Sequence, residues 1–257
     1  MSILLHGALW VLGAAAGAAV IGYLVRRIGQ DEGRPSNNDA AGQVFTIVSG
    51  LQAVVLAFVL VTLFDTVSDA REGAFRESQA LVAVSWSVDS FSGSAGRQVR
   101  QRSADYLRTV IHTEWPVMQR GQEVTGSGWQ QLDQVRSAVQ HAPISGDGEF
   151  EQTRKGEALD RLDEVYEERH QRLTRAFDRG VVAVVWFVLV VGSLVCVLLP
   201  NLFGGTRLLP HIMLVSTLAG ALALLLFAIY QLQNPFSGGS AIEPEAFRWA
   251  LERLGRR

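Results

Sequence analysis

The stretch Gly42–Phe64 reads GQVFTIVSGLQAVVLAFVLVTLF, and Asp65–Val88 continues it as DTVSDAREGAFRESQALVAVSWSV. The first part holds no Asp, Glu, Lys or Arg and is long enough to cross a hydrocarbon core of roughly 30 Å. The second part is charged, yet Val67, Ala70, Ala74, Leu81, Val84 and Val88 recur at helix spacing. No proline or turn cluster separates the two. The spacing predicts a membrane helix that runs straight on into water until SFSGSAG at Ser90–Gly96 breaks it.

Three other blocks share the apolar character of Gly42–Phe64: Ile3–Val25, Val181–Leu199 and Leu208–Ile229. None carries an acidic or basic residue other than His6 and His211, and each reaches the length of a span. With 48% hydrophobic and only 19% charged residues overall, a water-soluble protein is excluded. The first block lacks the basic start of a cleaved leader and continues to Arg26 and Arg27, so it reads as a retained helix. A net charge of -2 with no basic run excludes nucleic-acid binding. The single cysteine, Cys196, leaves neither a disulfide framework nor a thiolate metal site.

Residues 65–180 differ in character, with 19 acids and 15 bases and few strand signals. A helix is expected from about Arg97 to Trp115, with Val99, Tyr106, Leu107, Val110 and Ile111 on its apolar side. Pro116 should bound it, because proline disfavours helical geometry in the preceding residue. A shorter helix near Trp129–Val139 and a loop at Ile144–Gly148 follow. Then Phe150, Leu159, Leu162, Tyr166, Leu173 and Phe177 trace a stripe that should feed directly into the third span. Asp160, Asp163, Glu164, Glu167 and Glu168 against Arg161, Arg169, Arg172 and Arg175 read as the solvated face of that helix. PNLFGG at Pro200–Gly205 is a tight turn, with Pro210 tolerated in the first turn of the next helix.

The expected fold is an all-α integral membrane protein with four transmembrane helices and a helical bundle inserted between the second and third. Its parts are a first hairpin (1–64, spans 3–25 and 42–64), the bundle (65–180), a second hairpin (181–229, spans 181–199 and 208–229) and an amphipathic C-terminal tail (230–257). Arg26, Arg27, Arg34 and Arg207 lie in the two short loops, against Arg248 near the opposite side. By the positive-inside rule this places the loops in the cytoplasm and the bundle outside.

No catalytic, cofactor or metal constellation is present. The nearest metal motif, Glu167-x-x-His170, occurs once, whereas di-metal bundles need two such pairs and further glutamates. The spans carry other signals. Gly13-x-x-x-Gly17 and Ala18-x-x-x-Gly22 in the first, and Gly42, Thr46, Gly50, Ala53 and Ala57 in the second, form stripes of small residues that let helices approach closely. The second stripe fits helix packing or, with the hydroxyls of Thr46 and Ser49, the lining of a pore. Gln52, polar and deep in the span, fits an interhelical hydrogen bond or a pore position.

Several motifs in order along the chain resemble the bacterial bestrophin-like family: Asn38-Asp39-x-Ala41-Gly42, Ala53-Val54-Val55-Leu56-Ala57-Phe58, Glu77-x-x-Ala80-Leu81, Glu114-Trp115-Pro116-x-Met118, Asn234-Pro235-Phe236-Ser237-Gly238 and Pro244-Glu245-Ala246-Phe247. Gln52 departs from the pattern, which leads to an aromatic there, and the first interspan loop is less basic. The resemblance implies remote kinship with bestrophins, pentameric anion channels with four membrane helices per subunit, and a cytosolic helical region. It makes a homo-oligomeric bacterial inner-membrane protein, embedded in lipid and passing chloride or another small anion, the leading expectation. A non-conducting scaffold or sensor whose bundle binds a partner is the other reading.

Overall fold

The computed structural model describes residues 3–28, 38–91, 94–143, 148–177, 180–202 and 208–256. Among them the regular structure is helical: α1 (Ile3–Ile28), α2 (Asn38–Ser87), α3 (Ala95–Thr109), α4 (Trp115–Gln119), α5 (Ser127–Gln140), α6 (Glu149–Phe177), α7 (Ala183–Leu198), α8 (Leu208–Leu232) and α9 (Glu245–Gly255). Arg34, Arg207, most of the Ile144–Gly148 loop and the second half of the Pro200–Gly205 turn lie outside the described residues. The chain forms two compact units: residues 1–64 with 179–233, and residues 65–178 with 234–257. The 50-residue α2 contributes to both, unbroken as the absence of a proline implied.

In the first unit, four helices are long and apolar enough to cross a membrane. The principal packing joins α1 to α8 rather than helices adjacent in sequence. Gly7 meets the Phe227 ring, Gly220 meets Val11 and Ala15, and Gly22 approaches His211, so the pair is antiparallel. The Ala18–Gly22 face of α1 makes this contact, with Ala18, Val215 and Ala219 buried together. Nothing lies within 4 Å of a Cβ built on Gly13 or Gly17. Large apolar side chains such as Trp10, Phe58, Val184 and Leu209 point outward. In water that would be untenable; in lipid it is the expected surface.

The second unit is a helical bundle with a conventional core. The α2 stripe delivers Ala70, Ala74, Leu81, Val84 and, just past the helix end, Val88. From α3 and the turn after it come Val99, Tyr106, Leu107 and Val110, from α5 Leu132, Val135 and Val139, and from α6 Leu162 and Val165. The C-terminal segment belongs to this core. Amphipathic α9 buries Ala246, Phe247, Ala250 and Leu254, and the Trp115 ring meets Phe236 edge-on and Phe247 tilted, both at 5.5 Å.

Three sequence expectations need correction. Pro116 does not end a helix. Val110–Glu114 widens into a π turn, in which the Trp115 N–H reaches back to Val110 O, and Pro116 then sits in the first turn of α4. The wide turn makes room for the ring and leaves its missing N–H unneeded. Secondly, α6 does not feed into the third span: it ends at Phe177, and Gly180 adopts φ +64 before α7 starts at Ala183. A side chain on Gly180 would strike the Gln233 carbonyl, so the turn depends on glycine both sterically and conformationally. Thirdly, Phe150 and Phe177 are exposed and lie off the buried stripe of α6.

Candidate functional site

Two features have geometry that ordinary packing does not account for. One is a buried charge cluster in the bundle; the other is an uncovered face of α2 in its span.

The cluster joins Glu77 of α2, Tyr106 of α3, Glu114 of the π turn, and Arg169 and Arg172 of α6, each 1% exposed or less. Arg169 forks onto Glu114, Nη1 to Oε2 at 2.8 Å and Nη2 to Oε1 at 2.6 Å. Arg172 forks onto Glu77, Nε to Oε2 at 2.8 Å and Nη2 to Oε1 at 3.1 Å, and its Nη2 lies 3.4 Å from Glu114 Oε2. The Tyr106 hydroxyl donates to Glu77 and accepts from Arg169 Nη1 at 3.2 Å. Aromatic faces close the cavity: Trp129 is 4.7 Å from the Arg169 guanidinium and Phe247 5.3 Å from that of Arg172. Two cations and two anions cancel, which is the condition under which charges tolerate burial.

Local sequence sets this geometry. Arg169 and Arg172 are one turn apart on α6, so both point into the bundle. Gly128, in the first turn of α5, lies so close to the Glu114 carboxylate and Arg169 that any Cβ would collide with both. Burial pushes the Glu114 carboxyl upward, but the Arg169 hydrogen bond and the charges of Arg172 and Arg169 outweigh it and hold the group below its usual range. Burial, then the neighbouring Glu77 charge, pushes the Tyr106 hydroxyl up. Burial disfavours the Arg172 charge, yet Glu77 raises its pKa further. The assembly is a locked electrostatic core.

The solvated-face reading of α6 is therefore overturned for three residues: Glu168, Arg169 and Arg172 are buried. Glu168 accepts from Arg76 Nε at 2.6 Å, where Gly73 lets α2 and α6 approach. Asp160, Arg161, Asp163 and Glu167 do face outward, as does His170. Among the described residues no cluster of His, Cys, Asp and Glu could hold a metal.

The cluster also gathers motifs that were scattered in sequence. Glu77, Glu114 and Trp115 share it, and Phe236 packs on Trp115, whose Nε1 donates to Ile242 O at 3.1 Å. Asn234 Oδ1 caps the turn by accepting from the Phe236 and Ser237 N–H groups, Ile242 N donates to Pro235 O, and Gly238 takes φ +81. Sequence reasoning missed Arg169, Arg172 and Tyr106. The i,i+3 arginine pair and the tyrosine on an apolar stripe were the available signals.

On α2 the span carries two distinct faces. Gln52 is 5% exposed; its Nε2 donates to Leu189 O at 3.0 Å and Ser193 Oγ at 3.1 Å on α7. Gly192 is required there, since a Cβ would enter the Gln52 amide. Leu56 and Leu63 share the covered side. Thr46, Gly50, Ala53, Ala57 and Phe58 are exposed, Gly42 and Ser49 are half-covered, and nothing lies within 4 Å of a Cβ built on Gly42 or Gly50. Thr46 Oγ1 donates to its own helix at Gly42 O, while Ser49 Oγ is shielded and has no partner among the described residues. Asp39 is exposed; the Asn38 side chain lies outside the described residues.

Comparison with known proteins places this architecture. No curated protein matches the chain. Two point-mutant crystal structures of a bacterial bestrophin homolog from Klebsiella pneumoniae share its fold, each with TM-score 0.71. One is 12% identical over 99% of this chain and 98% of that one, the other 13% identical over 99% of each. A crystal structure described as that of a membrane protein mutant is also similar, with TM-score 0.71 and 13% identity over 98% and 97% of the two chains. The Bestrophin-like domain matches residues 12–247. A multi-pass, all-helical membrane protein with this span of matched sequence belongs to the bestrophin-like family.

Proposed function

We propose that the chain is one subunit of a homo-oligomeric, anion-conducting channel of the bacterial inner membrane, with α2 of each subunit lining the axis. The observation that carries this reading is the uncovered face of α2. Gly50, Ala53 and Ala57 are exposed, and among the described residues nothing lies within 4 Å of a Cβ built on Gly50, while the opposite face is fastened to α7 through Gln52. Four spans in one subunit are too few to enclose a path, so a pore needs several copies around that face. Family membership supports chloride or another small anion as the permeant species. The bundle, formed by the segment between α2 and α7 with the C-terminal residues, lies outside the bilayer. Kinship with bestrophins supports a cytoplasmic bundle, whereas the four short-loop arginines support the opposite side.

The test is subunit counting on the purified protein, then chloride and potassium flux in liposomes. Ring-shaped oligomers with chloride-dominated flux are expected. Well-formed oligomers that pass neither ion across a range of pH and voltage would sink the channel reading and leave the scaffold. For sidedness, a cysteine replacing exposed Ser137 should react with an impermeant thiol reagent only after lysis, since Cys196 is buried. Labelling of intact cells would restore the outward bundle given by the loop charges.

A further inference from the structure

The uncovered face of α2 has a polarity along its length as well as a lining. At about 100° per residue, Asp39, Gln43, Thr46, Ala57, Val61 and Phe64 all fall within about 40° of Gly50, and all are exposed. Gln52, Leu56 and Leu63, which are buried, lie about 120–160° away. One face therefore runs the length of the span. It is polar at the Asp39 end, small at Gly50 and Ala57, and bulky and apolar at Val61 and Phe64.

Asp39 is the one charged residue that α2 contributes to the first unit, since Ala40–Phe64 holds no Asp, Glu, Lys or Arg. It stands exposed in the first turn of the helix, and among the described residues no cation pairs with it. Arg27, near the end of α1, donates instead to the Tyr23 hydroxyl of its own helix at 3.2 Å. Repeated around a shared axis, one carboxylate per copy sums to a ring of negative potential at the mouth of the path. Such a ring depletes anions and enriches cations in the opening it surrounds.

We infer that Asp39 is a specificity-determining residue of the path: its carboxylate throttles, without excluding, the anions that enter at the N-terminal end of α2. The inference rests on the reading that the open face of α2 lines an ion path. An exposed charge acts over a Debye length, about 30 Å at 0.01 M salt and about 3 Å at 1 M. The throttle is therefore strong in dilute salt and fades in concentrated salt. A first-turn acid also complements the helix dipole, but that role bears on melting and leaves ion ratios alone.

Chloride and potassium flux through the oligomeric protein in liposomes, in dilute and in concentrated salt, tests this. Asp39→Asn should raise the chloride-to-potassium ratio in dilute salt by up to roughly tenfold, and leave it near wild type in concentrated salt. Asp39→Lys should raise it further, and Asp39→Glu should keep the native ratio. Gln43→Lys, one turn along the same face, should shift the ratio in the same direction, which keeps the test alive if Asp39 variants assemble poorly. Asp160→Asn, exposed on α6, should change nothing. An unchanged ratio in conducting Asp39→Lys oligomers, or a shift that persists undiminished in concentrated salt, overturns the role of Asp39 while the path stands. Wild-type oligomers that pass neither ion remove the path, and the inference with it. Loss of oligomers in Asp39→Asn would overturn it too, by placing Asp39 in a seam between subunits.

Discussion

Gln52 and Glu77 sit 25 residues apart on one unbroken helix, both buried, the first fastened to α7 and the second to α6 and α3. In the span the fastening is a neutral amide with two hydrogen bonds to α7. In the bundle it is a carboxylate gripped by a guanidinium and a phenol. The difference follows from the solvent each half meets. Hydrocarbon has no water to help solvate a charge, so the span uses one amide and a glycine that admits it. The bundle can assemble four charges whose fields cancel, and gains a unique arrangement of α2, α3 and α6 from their geometry.

The largest effect should come from unbalancing the cluster. Arg172→Met removes the fork on Glu77 and leaves a buried carboxylate with only Tyr106, at a cost of roughly 3–5 kcal/mol. Glu77→Leu combined with Arg172→Met removes both charges, and the double variant should melt closer to wild type than Arg172→Met alone. Such non-additivity marks direct contact. A single variant that melts like wild type would show that the cluster is solvated, and the contrast with Gln52 would collapse.

Much of this architecture was legible in sequence. The four apolar blocks gave the long apolar helices, and the stripe Ala70–Ala74–Leu81–Val84 gave the unbroken length of α2 beyond its apolar part, because hydrophobic period is a local property. The cluster was not legible. Arg169 and Arg172 lie among acids at i,i+3 and i,i+4, a pattern that a solvated helix and a buried lock share until the partner helices are known. Pro116 misled because its usual effect presumes an α-helical turn before it, and the π turn at Val110–Glu114 relaxes that condition. Gly180 did signal the break between α6 and α7, but an isolated glycine beside an apolar run is also tolerated within helices. The α1–α8 pairing is set by Phe227, Val11 and Ala15 meeting across the chain, which no local pattern encodes.

A smaller effect follows from protons. Glu114 is held below the ordinary carboxylate range, so its contribution to bundle stability is complete above about pH 4.3 and fades as pH falls further. Tyr106 is shifted the other way. Its contribution is complete below about pH 10 and fades as pH rises beyond, because the unfolded phenol ionises first. Melting followed across pH should therefore show a plateau with an acid and an alkaline shoulder. Tyr106→Phe should shrink the alkaline shoulder, part of which Tyr166, also shifted upward by burial and by Asp133, retains, while leaving the acid one; a wild-type profile without either shoulder would contradict the buried pairing.

The smallest effect belongs to the span, and it separates the two faces of α2. Gly50 has open space around it within the subunit, so Gly50→Leu should not disturb the subunit's own fold. If its face lines a path, flux is blocked and oligomers persist; if it is a seam between subunits, assembly fails, since close backbone approach is lost. Gln52→Leu tests the covered face. It deletes the bonds to Leu189 O and Ser193 Oγ, and a polar contact between membrane helices averages about 0.6 kcal/mol, rarely reaching 2. Gln52 lies about 200° around the helix from Gly50, so the substitution should leave oligomers intact and change flux only modestly. Flux abolished by Gln52→Leu with assembly preserved would mean that the amide faces the ion path, and that the covered and open faces of α2 exchange roles in the assembled protein.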